Sequence, residues 1–197
     1  AWLFQACALT GMTPRRWNET VIFPIPKKPT SKHIDEFRPI ALTVMFRRLF
    51  ERSLLDHLKR QPAFKNLAPT QAGFRNGYST ISHALSSHDA AQTRPGLYQA
   101  FLDLKSAYDT VPVPLVIAKL AARGADLVTL SLVSSLFTSC SITVVVNGIA
   151  SLPISTQRGL LQGSILSPAL FNTFIDDLAL ELASGPSTKC HYPNHLL

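Results

Sequence analysis

The sequence predicts an α+β fold, in which helices and strands follow each other without regular alternation. β-branched runs on either side of Asn147-Gly148 are typical of two strands joined by a tight hairpin turn. Residues 44–60 and 164–182 instead carry apolar side chains at helical spacing. Because strand and helix patterns do not alternate one by one, a parallel βαβ sheet is not expected.

The remaining elements are predicted from periodicity and from turn residues. Pro24 and Pro26 lack an amide hydrogen, so the strand that contains them is expected at a sheet edge. Ser79 or Thr80 is expected to cap the helix that follows it. The predicted elements are a helix at 1–10, strands at 21–25 and 37–43, a helix at 44–60, a helix at about 80–92, a strand at 97–104, helices at 114–123 and 126–137, hairpin strands at 141–146 and 149–154, and a helix at 164–182.

Charge and cysteine content restrict the partners and the compartment. The net charge of +7 suits an anionic partner such as nucleic acid, although a basic solvated surface without such a partner fits it equally. The odd count of cysteines and their wide spacing argue against a disulfide framework. No secretory signal pattern is recognised. An intracellular location is therefore expected, with the nucleus as one option.

Residues 127–157 form a long stretch without a charged side chain. Ser and Thr interrupt it repeatedly, and Asn147-Gly148 and Pro153 break it. Since a transmembrane helix needs about 20 predominantly apolar residues, no membrane partner is expected.

The segment Ala100-Phe-Leu-Asp-Leu-Lys-Ser-Ala-Tyr-Asp-Thr-Val111 carries the strongest chemical signal. An apolar strand is predicted to deliver Asp103 at its end, where a carboxylate is a ready ligand for a hard cation such as Mg²⁺. Tyr108 follows where the chain is expected to turn into a helix. Taken alone, the same pattern fits an exposed aspartate near a packed tyrosine.

This segment resembles the first catalytic motif of the reverse transcriptases of non-LTR (LINE-type) retrotransposons. The resemblance implies that Asp103 is a catalytic residue and a metal ligand, and that Tyr108 is a steric gate against ribonucleotides. It also implies that Lys27 and Arg38, in segments similar to the fingers motifs, contact the incoming triphosphate. The further segments that match the family, in the family's order, are 20–28, 37–43, 71–80 and 158–172.

The segment Arg158-Gly-Leu-Leu-Gln-Gly-Ser-Ile-Leu-Ser-Pro-Ala-Leu-Phe-Asn172 resembles the motif that holds the nucleotide and the template base. Gly163 allows backbone to approach a ligand without a Cβ. Gln162 and Ser164 offer hydrogen bonds, and the helix start behind them favours anions. All three residues are therefore expected to bind nucleotide.

The family completes its metal site with an aspartate pair in Tyr-Ala-Asp-Asp. The matching segment here reads Tyr192-Pro-Asn-His-Leu-Leu197, so Asn194 and His195 stand at degenerate ligand positions. Asn offers only a neutral carbonyl, and His is a poor ligand for Mg²⁺. This copy is therefore expected to be inactive as written.

Two nearby groups offer alternatives for a site. The pair Asp176-Asp177 is interpreted as a solvated helix face, not as the catalytic pair. Zinc bound by Cys190, His191 and His195 is a further option, but no fourth ligand is evident.

The resemblance implies the fingers and palm of a right-hand polymerase, with an antiparallel palm sheet backed by helices and the thumb absent. Residues 1–95 would form the fingers and 96–197 the palm, with about 125–156 returning to the fingers as an option. The implied activity is RNA-directed DNA synthesis with Mg²⁺, an RNA template, a DNA primer and deoxynucleoside triphosphates. The alternatives are a non-catalytic nucleic-acid-binding module and a relic of a decayed element.

Overall fold

The computed structural model describes residues 2–184, which combine helices with one sheet and confirm the predicted α+β class. No helix in this range is long and apolar enough to cross a membrane. The α-helices are α1 (Trp2–Thr10), α2 (Met45–Leu58), α3 (Pro62–Lys65), α4 (Thr80–Thr93), α5 (Val113–Ala122), α6 (Leu127–Phe137) and α7 (Ser167–Ser184). The strands are β1 (Glu19–Pro26), β2 (Phe37–Leu42), β3 (Cys140–Val146), β4 (Ile149–Ala150) and β5 (Ile154–Thr156).

The described strands form a mixed sheet in the order β2-β1-β3-β4, with β5 also paired to β3. β1 pairs antiparallel with β2 but parallel with β3. This parallel pair was not expected from the sequence. The predicted antiparallel sheet is that of the palm, at 96–197, and a pair that includes β1 does not test it. Parallel neighbours need a long crossover. The helices α2 to α6 lie between β1 and β3 in the chain and provide it.

The prolines of β1 limit how far β3 pairs with it. The β1–β3 ladder covers Glu19 to Ile22 and stops before Pro24, whereas the β1–β2 ladder continues to Pro26. The predicted edge position is thus found only in the proline-containing half of the strand, because a proline cannot donate to a second neighbour.

The hairpin turn between β3 and β4 is the one that the sequence predicts. Asn147 and Gly148 both have positive φ, at 50° and 78°. Two such residues in a two-residue loop are typical of a type I′ turn, whose twist matches that of the flanking strands.

The predicted strand at 97–104 is wrong in the described structure. The segment has no regular structure, and none of the described strands pairs with it. Tyr98 is 98% exposed and Phe101 is 84% exposed. A strand depends on ladder hydrogen bonds to a neighbour, and the apolar pattern alone does not supply one. Asp103 consequently lies in an exposed irregular segment, not at a strand end.

Two apolar clusters hold these elements together. The larger cluster lies between α2, α5, α6 and α7, and its fully buried members include Leu58, Leu120, Leu136 and Leu170. The smaller one consists of Ile22, Ala41 and Leu161, so it attaches residues 158–164 to the sheet.

Asp126 connects the end of α2 to the start of α6. Its carboxylate accepts hydrogen bonds from the Thr129 amide at 2.7 Å and from His57 Nε2 at 2.9 Å. Burial acts to raise the pKa of Asp126, but these hydrogen bonds outweigh it and lower the pKa below its ordinary value.

We expect this arrangement to make the unfolding free energy depend on pH. A carboxyl with a lowered folded pKa adds stability above its unfolded pKa, which is near 3.8 for Asp126, and that stability is lost as the pH falls through the folded value. The unfolding free energy, measured by urea denaturation, should therefore decline as the pH falls from about 5 to about 2, and this decline should be smaller in Asp126→Asn than in the unmodified chain. The control is Asp56→Asn, on the exposed face of α2. An equal pH dependence in Asp126→Asn and the unmodified chain would contradict the assignment.

Candidate functional site

Two segments from the predicted site lie side by side. Residues 158–164, here called the glycine turn, run next to residues 106–111. The Gly159 amide donates to the Val111 carbonyl at 2.9 Å, and the Leu160 amide donates to the Tyr108 carbonyl at 2.8 Å. A Cβ on Gly159 would lie 3.1 Å from the Asp109 carbonyl oxygen, so this approach is close enough to favour glycine.

The other end of the glycine turn packs against β2. The Ala41 amide donates to the Gln162 carbonyl at 2.6 Å. Gly163 has a φ of +119°, and a Cβ built there would lie only 2.5 Å from the Ala41 carbonyl oxygen. The predicted need for glycine is therefore explained by a close approach to the protein's own strand.

Replacing Gly163 by alanine is expected to lower the unfolding free energy by about 1–3 kcal/mol, because the turn must move and the backbone is strained. Gly148→Ala is the matched control. Gly148 also has positive φ, but nothing lies within 4 Å of its added Cβ. Urea denaturation of both variants measures the difference. If both variants lose the same unfolding free energy, the close approach of Gly163 to Ala41 adds nothing to the cost of the substitution.

A buried ion pair holds the opposite side of the glycine turn. Arg47 and Glu51, both fully buried on α2, are joined by an Nε–Oε1 contact of 2.7 Å. The second oxygen of Glu51 accepts from the Ser164 hydroxyl at 2.8 Å and from the Ile165 amide at 2.7 Å. Arg47 Nη1 also donates to the Trp17 carbonyl at 2.7 Å. The Glu51 network is our name for the Arg47 and Glu51 side chains together with the groups that they bind, which are the Ser164 hydroxyl, the Ile165 amide and the Trp17 carbonyl.

The start of α7, which the sequence predicts to favour an anionic ligand, already binds the carboxylate of Glu51. The sequence predicts that this helix start favours an anion, and a carboxylate of the protein itself lies there. Ser164 is buried and its hydroxyl is bonded to Glu51. The predicted contact between Ser164 and a nucleotide stays a prediction.

Sequence reasoning did not single out Glu51. Arg47 and Glu51 stand four residues apart on a helix, the spacing at which solvated ion pairs are common. Only the packing of the glycine turn against α2 distinguishes this pair from the exposed Arg52–Asp56 pair, which has the same spacing.

Tyr108 is half-buried and stacks on an aromatic ring of α7. Its ring centroid lies 5.0 Å from that of Phe171, with 11° between the planes. Burial raises the pKa of the Tyr108 hydroxyl. Desolvation likewise raises the pKa of Asp109, and the charge of Lys27 partly counteracts it.

The predicted site residues are only partly brought together. Tyr108 and Gln162 lie in the two segments that meet. Lys27 Nζ donates to the Asp35 carbonyl at 2.7 Å. Arg38 is exposed on β2, and its side chain and that of Asp103 form no hydrogen bond or ion pair within residues 2–184.

The interpretation of Asp176-Asp177 as a solvated face is wrong for Asp176. Asp176 is fully buried, and its carboxylate accepts from the Ala68 amide at 2.8 Å and from Arg123. Adjacent positions of a helix point in different directions, so one aspartate turns inward while its neighbour does not. Asp177 is 60% exposed and pairs with Lys119, as a solvated residue does.

In the part of the chain that the structure describes, no three His, Cys, Asp or Glu side chains are grouped closely enough to hold a metal ion. The degenerate positions Asn194 and His195, and the alternative zinc ligands Cys190 and His191, lie outside the described residues.

Residues 25–192 match the family described as "Reverse transcriptase (RNA-dependent DNA polymerase)". The relatives come from mobile elements. The chain is 29% identical over 187 residues to the "Retrovirus-related Pol polyprotein from type-1 retrotransposable element R2" of Popillia japonica, covering 92% of this chain and 26% of that protein. It is 28% identical over 187 residues to the "RNA-directed DNA polymerase from mobile element jockey" of Drosophila melanogaster, covering 90% and 20%.

A third relative gives the same proportions. The "Probable RNA-directed DNA polymerase from transposon BS" of Drosophila melanogaster is 28% identical over 185 residues, which is 90% of this chain and 20% of the relative. The chain thus spans between a fifth and about a quarter of the length of these relatives.

Proposed function

This chain belongs to the reverse transcriptase family, and we propose that it forms part of the nucleotide and template site of a non-LTR retrotransposon polymerase. Its described fold is the mixed α+β arrangement that fingers and palm require. The division into fingers at 1–95 and palm at 96–197 is part of this proposal.

The observation that carries the proposal is the meeting of three separate motifs at the glycine turn. The turn contacts residues 106–111 on one side and Ala41 of β2 on the other. These segments are far apart in the chain, yet they are the ones assigned to metal, triphosphate and template contacts by resemblance. Their proximity is what a common nucleotide site needs.

We propose an RNA template, a DNA primer and a deoxynucleoside triphosphate as the partners. A reverse transcriptase domain implies nucleic-acid partners in general, and the net charge of +7 suits them. Lys27 and Arg38 are exposed cations on the β1–β2 hairpin, so both are accessible to a polyphosphate.

The family implies a divalent metal cofactor, and Mg²⁺ is our proposal for its identity. The donor set of this chain does not fit a complete two-metal site. Asp103 offers a carboxylate, but Asn194 and His195 replace the further carboxylates by an amide and an imidazole. We therefore derive no metal-dependent step for this copy and propose that it binds nucleic acid without extending a primer.

Binding of a labelled RNA template–DNA primer duplex, measured by fluorescence anisotropy, tests the proposal. We expect affinity for the duplex to fall with rising salt. Because Lys27 and Arg38 are proposed to contact the incoming triphosphate, Arg38→Ala and Lys27→Ala should each weaken binding of the complementary deoxynucleoside triphosphate to the chain–duplex complex and lower the salt dependence of that binding. Arg52→Ala is the control, since Arg52 is an exposed cation paired with Asp56 on α2. A chain that does not bind the duplex at low salt would be a relic, and the proposed function would be wrong.

A further inference from the structure

We propose that Glu51 is a positioning residue, whose buried carboxylate sets the shape of the glycine turn and so places Gln162 and Gly163. This inference rests on the proposed function of that turn in holding nucleotide and template base. Glu51 itself lies beneath the turn and is fully buried, so it acts through the turn and not by contact with a ligand.

The geometry gives Glu51 control over the residues that follow Gly163. One carboxylate oxygen accepts from both the Ser164 hydroxyl and the Ile165 amide, which come from consecutive residues. The Ser164 oxygen in turn accepts from the Leu166 amide at 3.2 Å. Amides just before a helix have no intrahelical partner, so a fixed carboxylate there determines where the helix begins.

The turn is held from two sides, which makes its position well defined. The hydrogen bond from the Ala41 amide to the Gln162 carbonyl attaches it to β2, and Glu51 attaches the next residues to α2. Arg47 extends the connection to the Trp17 carbonyl, just before β1. The Glu51 network therefore links the turn to the strands that carry Lys27 and Arg38.

Stability alone is a poor explanation for this buried pair. Taking two charges out of water has a high cost, and an apolar pair of similar volume often gives equal or greater stability. Arg47 Nη2 is buried without a hydrogen-bond partner within the described residues, so the pair is not even fully satisfied. The buried carboxylate is better explained by the backbone groups that it orients.

The double variant Arg47→Met/Glu51→Leu separates positioning from stability. We expect it to remain folded, while amide hydrogen exchange at Ile165 becomes at least about tenfold faster, the effect of losing a hydrogen bond to a charged group. Exchange at Ala41, whose amide donates to the Gln162 carbonyl, should also become faster as the turn loosens. Affinity of the chain–primer–template complex for the complementary deoxynucleoside triphosphate should fall by a similar factor. The matched control, Arg52→Met/Asp56→Leu, alters the exposed pair with the same spacing on α2 and should change neither quantity.

Unchanged exchange and affinity in the folded double variant would overturn the proposal. If that variant does not fold, Ser164→Ala, which removes the hydroxyl that donates to Glu51, decides the matter through exchange at the Ile165 amide. Faster exchange there supports the proposal, and an unchanged rate overturns it. Absence of nucleotide binding by the unmodified chain would instead overturn the proposed function. Exchange rates would then still show whether Glu51 holds the turn.

Discussion

Restoring Pro193→Ala, Asn194→Asp and His195→Asp together is expected to raise Mg²⁺-dependent primer extension by at least on the order of 10²–10³, the usual effect of one strong electrostatic stabiliser. Phosphoryl transfer depends on positioning and on neutralising developing charge. Two metal ions that clamp the attacking and leaving oxygens need more than the single carboxylate of Asp103. Residues that act as a unit are non-additive, so the triple change should exceed each single change.

The assay for this prediction uses the chain fused to the thumb of a close relative, because the relatives are longer than this chain. Extension of a labelled primer on an RNA template is measured over a range of Mg²⁺ concentrations. The unmodified fusion and the three single variants are the controls. Equal extension by the unmodified and the triply restored fusions would show that Asn194 and His195 do not limit activity.

Removing Arg123 is expected to lower the unfolding free energy by about 3–5 kcal/mol, because Arg123→Ala leaves a buried carboxylate without its ionic partner. Asp176 is fully buried on α7, and its other hydrogen bond comes from the Ala68 amide. Asp176 binds the Ala68 amide, and Asn172 on the same helix donates to the Gly73 carbonyl. Removing Arg123 should therefore also loosen residues 68–78. Urea denaturation at neutral pH measures the effect.

The neighbouring residue on the same helix supplies the control. Asp177→Asn breaks an exposed pair with Lys119, which should cost no more than about 1 kcal/mol. If Arg123→Ala and Asp177→Asn lower the unfolding free energy by similar amounts, then removing Arg123 does not leave Asp176 as an uncompensated buried charge.

Local features of the fold were predictable because their causes are local. Ser79, one of the two predicted capping residues, caps α4 by accepting from the Ser82 amide. The Asn147-Gly148 turn adopts the two positive φ angles that its residue types favour. In each case neighbouring residues determine the structure, so the sequence pattern was sufficient.

The errors in the fold arise where distant segments decide the outcome. The apolar pattern at 97–104 predicts a strand, but a strand forms only beside a partner, and periodicity does not identify one. The parallel β1–β3 pair likewise depends on the crossover through the helices between them, which no local signal reports.

Burial of charge was the feature of the site that sequence reasoning missed. Glu51 and Asp176 have the spacing of ordinary solvated residues, and both are fully buried because other segments pack over them. At Gly163 the backbone that approaches is that of Ala41, and the contact with a nucleotide stays a prediction. The motif resemblance predicted the segments of the proposed site, whereas the contacts between them required the structure.

The most direct test of the central claim is primer extension by the triply restored fusion with and without Asp103→Ala. The claim is that this chain is a reverse transcriptase domain in which Asp103 is the catalytic carboxylate that remains. We expect Asp103→Ala to abolish the extension regained by restoring Asn194 and His195 to aspartate, while duplex binding is kept. Robust Mg²⁺-dependent extension by the unmodified fusion, unaffected by Asp103→Ala, would contradict the account.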